Sequence, residues 1–429
     1  MKPSIIPADA TGAEVEPVSL VTRLAKSLLR AQLRKIQHGR LRLIDDDLDE
    51  TYGRLTPEGP FDITIRVRNP RFYSDVVLAG TSGSGEAYMN GHWHCDDLTG
   101  LVRLMVVNRH LMNDVDSGWS RVSAPLLKLL HWLNRNHKSG SQRNIAAHYD
   151  LGNQFFELFL DETMAYSCGI FPTTDSTLLQ ASTAKFDAVC SKLDLKPGQH
   201  LLEIGTGWGG LAIHAVKYYG CRVTTTTISR EQYEFARRRV AREGLADKIT
   251  LLLEDYRDLR GEYDALVSIE MVEAVGHQYL DTYFKKCSEL LNPAGAMLLQ
   301  AITIRDQFYD QARRSVDFIQ RFIFPGSFIP SVQAMLISVG RATDMKLYHL
   351  EDIGPYYART LRLWRERFLA HLPAVRALGY PDSFVRMWEY YLCYCEGGFE
   401  ERQLGDVQML LTKPRARRAV IATIHASPA

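Results

Sequence analysis

Leu201-Leu-Glu-Ile-Gly-Thr-Gly-Trp-Gly-Gly-Leu211 decides how the rest of the chain is read. An apolar run breaks into four glycines, Gly205, Gly207, Gly209 and Gly210, and a helical pattern of Leu211, Ile213, Val216 and Tyr219 follows at once. Glycine lets the backbone turn sharply and approach a ligand closely, and the next helix offers its N-terminus beside that ligand. The stretch predicts a nucleotide-type cofactor site at the end of the first strand of a doubly wound sheet. Two cofactors compete for it. Gly205, Gly207 and Gly210 satisfy the dinucleotide fingerprint, which expects an acid about 20 residues on, at the end of the second strand. That strand, Cys221 to Ser229, carries no carboxylate, and the next is Glu231. Glu203, two residues ahead of the first glycine, instead suits a cationic ligand without a pyrophosphate, such as S-adenosylmethionine. The methyl donor is the better reading; a glycine turn with no ligand is the bland one.

Composition limits the remaining choices. With 429 residues, one large domain and a smaller one are expected. A hydrophobic content of 46%, a charged content of 24% and a net charge of +1 describe a globular chain and argue against a dedicated nucleic-acid binder. No apolar run is long enough to span a bilayer, and Met1 to Pro7 lacks the apolar core of a signal peptide. Seven scattered cysteines fit reduced thiols, so a cytoplasmic location is expected. Charge is unevenly spread. From Val21 to Leu43, seven basic residues interleave with Val21, Leu24, Leu28, Leu29, Leu33 and Ile36, the pattern of an amphipathic helix with a basic face. Lys128 to Arg143 is a second basic stretch. Such segments attract anionic lipid surfaces, or are ordinary helices with solvated charges.

The chain divides near residue 140, giving an N-terminal domain over 1–140 that faces lipid and a catalytic domain over 141–429. Strands are expected at 199–204, 221–228, 248–252, 264–270 and 296–304, with a last antiparallel strand at 406–412. Asn292-Pro-Ala-Gly295 reads as a turn. The motifs His148-Tyr-Asp-Leu-Gly-Asn153, Tyr166-Ser-Cys168, Asp255-Tyr-Arg-Asp258 and Glu270-Met-Val-Glu-Ala-Val-Gly276 fall where loops converge beyond the carboxyl ends of the strands. Phe308, Tyr309, Ala312, Val316, Ile319, Phe322 and Ile323 recur at helical spacing, as core or as the lining of an apolar tunnel. His92-Trp-His-Cys95 fits no metal-ligand spacing and reads as a turn; no metal is expected.

Together these motifs, with Thr227-Ile-Ser-Arg-Glu-Gln232, Phe322-Ile-Phe-Pro-Gly326, Gly354 to Tyr357 and Tyr390 to Cys395, resemble the cyclopropane-fatty-acyl-phospholipid synthase family over residues 60–412. The resemblance implies an α/β fold: a doubly wound, Rossmann-like methyltransferase sheet with a smaller N-terminal α+β domain. It implies transfer of a methyl or methylene carbon from S-adenosylmethionine to the cis double bond of an unsaturated phospholipid, through a carbocation deprotonated by bound bicarbonate. The partner is then a membrane surface, met peripherally, and a homodimer is left open. Cofactor-binding residues implied are Tyr166, Ser167, Glu203, Gly205, Gly207, Gly209, Gly210, Thr227, Ile228, Ser229, Gln232 and Asp255. By position, Glu273, Tyr357, Cys168, Gln300 and the backbone of Ile302 would hold the bicarbonate, and Tyr166, Trp208 and Phe322 would face the cation. Cys395 aligns with a cysteine long considered catalytic, although a cysteine among aromatics is more often packing. Gln300 departs from the histidine of many relatives: an amide donates a hydrogen bond to an anion but relays no proton at neutral pH. That leaves a cyclopropane, methylene-branched or methyl-branched product open. The competing functions are a small-molecule methyltransferase and a non-catalytic lipid-surface protein.

Overall fold

The computed structural model describes residues 19–109, 111 and 151–418. Its contacts divide the chain into two compact units. One comprises residues up to Leu133 with Ser315–Ile323 and Trp364–Gln403, and the other comprises Asn134–Arg314, Phe324–Leu363 and the chain from Leu404 onward. The single cut expected near residue 140 therefore misses two segments that return to the N-terminal unit.

The second unit is built on a seven-stranded sheet. Its strands are β5 (His200–Ile204), β6 (Arg222–Thr226), β7 (Ile249–Leu252), β8 (Tyr263–Ile269), β9 (Leu291–Ile304), β10 (Lys346–Asp352) and β11 (Leu404–Thr412). They lie in the order β10-β11-β9-β8-β5-β6-β7, and β11 runs antiparallel to both neighbours. This is the doubly wound α/β sheet that the strand and helix alternation predicts. Side chains on successive residues enter opposite cores: Leu202 and Ile204 pack with Leu266, Met297 and Phe284, whereas Leu201 packs with Val223, Val267, Leu298 and Ile213. Both faces are covered, so central stretches such as 265–269 of β8 and 296–299 of β9 read as nearly continuous apolar runs. Asn292–Gly295 bulges from the ladder, since Tyr263 pairs with Leu291 and Ala265 already pairs with Ala296. β10 has no counterpart among the sequence-based expectations, because its residues are largely exposed or half-buried and carry mixed charge.

The N-terminal unit has a four-stranded sheet of β1 (Gly39–Asp45), β2 (Leu48–Arg54), β3 (Asp62–Val67) and β4 (Trp93–Cys95), in the order β2-β1-β3-β4. His92–Cys95 is thus largely an edge strand and not a turn. The amphipathic segment from Val21 is helical only as Leu20–Leu33; its remainder enters β1, where Leu41 and Leu43 are buried. Several of its bases are already matched, Lys26 to Asp45 and Asp47, Arg30 to Glu50, and Arg42 to Asp49. The second basic stretch lies outside the described residues.

Candidate active site

The glycine turn follows β5 directly. Gly205, Gly207 and Gly209 have φ of +105°, +51° and +84°, values that favour glycine. The Gly205 and Thr206 amides both donate to the Thr226 carbonyl, which ties the turn to β6. A Cβ at Gly207 would meet no protein atom within 4 Å, and one at Gly205 would make only ordinary contact with Met271. Gly210 opens the helix Gly210–Tyr219 and is packed against the Thr163 carbonyl and Phe186. Beneath the turn, Glu203 is buried and accepts from the Thr225 hydroxyl at 2.6 Å. Burial pushes its carboxyl up to about 8, opposed by that hydrogen bond and by the Lys185 charge.

Ser229 caps the helix Arg230–Arg242 by accepting from the Gln232 amide, and the Thr227 hydroxyl donates to the Gln232 side-chain oxygen at 2.9 Å. Gln232 is therefore fixed at the end of β6, with Ile228 half-buried beside it. Asp255 begins the turn after β7, and both its oxygens accept from Arg257. Tyr166 packs against Phe156, Phe159 and Phe324, and Trp208 donates to Asn153 at 2.6 Å. His148, Tyr149 and Asp150 lie outside the described residues. A carboxylate below a glycine turn that leaves open space above it, with a fixed amide at the neighbouring strand end, fits a cationic adenosyl ligand.

At the ends of β8 and β9 the geometry departs from expectation. The Cys168 amide donates to Glu270 Oε1 at 2.9 Å, the Gln300 side-chain amide donates to the same oxygen at 2.8 Å, and the Tyr357 hydroxyl donates to Oε2. The Ile302 amide donates to Glu273 Oε1 at 2.6 Å. The donors assigned to bicarbonate thus end on two carboxylates of the chain itself. Bicarbonate does not fit these residues as they stand.

Glu270 is held at φ +47°, a left-handed conformation that costs a side-chain-bearing residue about 1–3 kcal/mol. Glu273 Oε2 and Asp406 Oδ1 are buried and accept no hydrogen bond among the described residues. Burial, then the charge of Glu270, pushes the Glu273 carboxyl up to about 8 and raises Asp406 well above the carboxylate range. Gln300 also donates to Asp406 at 3.2 Å and accepts from Gln408 at 2.9 Å, so both ends of its amide are fixed.

Lys185, on the helix Leu178–Leu193, is buried and donates to the Ser167 hydroxyl at 2.8 Å. Burial lowers its ammonium, while Glu270, Cys168, Asp161 and Asp406 oppose that shift. Burial and the nearby Asp406 and Glu270 charges raise the Cys168 thiol, which keeps it from acting as a thiolate nucleophile at neutral pH.

Lys185 and Asp406 are functional candidates that motif reading missed, and Glu270 fell within the motif Glu270–Gly276 without being given a role. Lys185 falls on the stripe Leu178, Ser182, Lys185, Val189, where a lysine among buried positions was the available signal. Cys395 lies in the other unit, on the helix Asp382–Glu400, where burial and the neighbouring Asp317 raise its thiol. Phe322 belongs to that unit as well. The apolar stripe carrying it is not one helix: Asp306–Ala312 is separate from the turn Ile319–Ile323, which Asp317 and Gln320 start by capping each other.

A profile of the mycolic acid cyclopropane synthetase family matches residues 136–409. The chain belongs to this family. Like other members of the cyclopropane synthetase family it is an S-adenosylmethionine-dependent methyltransferase. Among its relatives, a tuberculostearic acid methyltransferase of Mycobacterium tuberculosis is 37% identical over 91% of each chain. The cyclopropane-fatty-acyl-phospholipid synthase of Escherichia coli K12 is 38% identical over 81% of this chain and 87% of that one. The crystal structure of a mycolic acid cyclopropane synthase complexed with SAH and CTAB superposes with a TM-score of 0.60 at 32% identity, covering 63% of this chain and 98% of that chain. Among the described residues, no helix of this cyclopropane synthetase relative is long and apolar enough to cross a membrane.

Proposed function

We propose that this enzyme transfers a one-carbon unit from S-adenosylmethionine to the cis double bond of an unsaturated phospholipid acyl chain and closes a cyclopropane. The observation that carries the reading is the pairing of a cation-suited glycine turn at β5 with a cluster of carboxyls at the ends of β8, β9 and β11. An alkene is a weak nucleophile, so the reaction needs an activated methyl, support for a carbocation and a proton acceptor. Bound S-adenosylmethionine supplies the electrophilic methyl. Glu203 and the turn hold it, and Gln232 is positioned for its ribose. Tyr166, within an aromatic group of Phe156, Phe159 and Phe324, offers a π face to positive charge. The carboxyl cluster takes up the proton that leaves as the ring closes.

Lipid as the acceptor is further supported by the helix Leu20–Leu33, which exposes Leu20, Val21, Leu24 and Leu28 and suits contact with a membrane interface. Purified enzyme, incubated with S-adenosylmethionine and vesicles of either mono-unsaturated or saturated phospholipid, tests the reading by gas chromatography–mass spectrometry of the released acyl chains. A product one CH2 heavier is expected from the unsaturated lipid alone. Methylation of small amines with no lipid product would replace this reading. A methyl- or methylene-branched chain is the second reading, favoured by the relative named as a tuberculostearic acid methyltransferase. Proton NMR separates ring from branch.

A further inference from the structure

We propose that the Glu270 carboxylate stands where a bound bicarbonate would be needed, so that this enzyme carries its proton acceptor within the chain. The inference rests on the one-carbon transfer reading above and names the base of that same site. Three donors from three separate segments meet on this side chain: the Cys168 amide from the loop ahead of the sheet, the Gln300 amide from β9, and the Tyr357 hydroxyl from the helix Gly354–Ala370. A cage of convergent donors is how proteins hold a small oxyanion. Here the oxyanion is a side chain. The fourth expected donor, the Ile302 amide, is engaged by Glu273.

Backbone geometry points the same way. Glu270 follows the last residue of β8 at φ +47°, a position glycine would occupy without strain. Retaining a long acidic side chain there makes sense if the carboxylate is what the position requires. Gln300 completes the argument. Its amide donates to Glu270 while its oxygen accepts from Gln408, so it presents N–H to the carboxylate and has no proton to exchange.

In the reaction, the carbon–sulfur bond of the donor breaks and its methyl carbon bonds to one alkene carbon, leaving the positive charge on the other. Glu270 then takes a proton from the new methyl group, and the freed C–H electron pair closes the ring. The Glu270 carboxylic acid returns its proton to water once product leaves. Charge and atoms balance without a free anion.

Turnover on mono-unsaturated phospholipid vesicles, in carbon-dioxide-depleted buffer with and without added bicarbonate, tests the proposal. The wild type is expected to keep full activity in the depleted buffer. Glu270→Gly relieves the left-handed strain and empties the donor cage. It should lose at least about a hundredfold in turnover without bicarbonate and recover at least about tenfold when millimolar bicarbonate is added, with unchanged affinity for S-adenosylmethionine by calorimetry. Glu270→Gln, which keeps the side chain's shape but not its basicity, should be equally slow and not rescued. An active wild type that stops in the depleted buffer overturns this inference alone, as does a Glu270→Gly enzyme that works without bicarbonate. A wild type that binds the donor yet modifies no unsaturated lipid removes the transfer reading, and this one with it.

Discussion

The carboxyl of Glu203 is buried, bonded to one threonine and held in its acid form up to about pH 8, whereas the ligand suited to the turn above it is a cation. Donor binding should therefore expel a proton. Affinity for S-adenosylmethionine is expected to rise from about pH 6 to about pH 8 and then level, because below its raised pKa the free carboxyl must be ionised before it can pair. In Glu203→Gln the rise should flatten and binding should weaken at least about tenfold, or about 1.4 kcal/mol; calorimetric titration across that range measures both. Gly205→Val should abolish detectable binding while leaving far-UV circular dichroism intact. The cause is the φ of +105°, which valine does not adopt, more than any clash of its Cβ.

The glycine turn, Glu203 and Gln232 were legible in the sequence because local spacing carries them. Glu270 was not. It stands three residues before Glu273 in the motif Glu270–Gly276, but only the fold brings Cys168, Gln300 and Tyr357 to its carboxylate, across separations of 30 to 102 residues. Asp406 was hidden in the same way, as an ordinary position in an expected strand until β11 paired with β9.

Periodicity was a good guide to elements with one dry face and a poor guide where a helix ends. Leu20–Leu33 stops, and Gly39 starts a strand, inside what spacing alone reads as one amphipathic helix. The division matters for the membrane, since intramolecular acids already meet Lys26 and Arg30 and leave the exposed leucines as the helix's distinctive feature. Leu24→Ser combined with Leu28→Ser should lower co-sedimentation with phospholipid vesicles several-fold without lowering the melting temperature, because neither side chain is buried. Binding unchanged by this pair would make the helix plain structure. The stripe from Phe308 to Ile323 failed for a related reason: Asp317 and Gln320 cap each other and start a separate turn, a polar signal that counting apolar residues passes over.

At the scale of the molecule, order along the chain revealed the sheet but not the partition into units. Strands alternating with helices dictate a parallel sheet whatever surrounds it. That Trp364–Gln403 joins the N-terminal unit depends on long-range packing such as Tyr88 donating to Glu389, which no local pattern carries. Two buried acids raised to about 8 also have a consequence for the whole fold. Their ordinary value is 4.5, so the folded state holds protons that the unfolded chain releases. Stability of the ligand-free enzyme is thus full below about pH 4.5 from these groups and is lost as pH rises through about 8. Urea unfolding at about pH 6 and about pH 8.5 should show the decline, and a Glu203→Gln, Glu273→Gln double variant should show less of it. In the proposed reaction, one carbon passes from the donor to an acyl double bond and sheds a proton on the way. Methyl-deuterated S-adenosylmethionine, supplied with mono-unsaturated phospholipid vesicles and followed by mass spectrometry and NMR of the acyl chains, tests it directly. The expected product is a cyclopropane that has lost one deuterium from the transferred methyl; a product keeping all of its label, or label that never enters the acyl chain, would overturn this reaction.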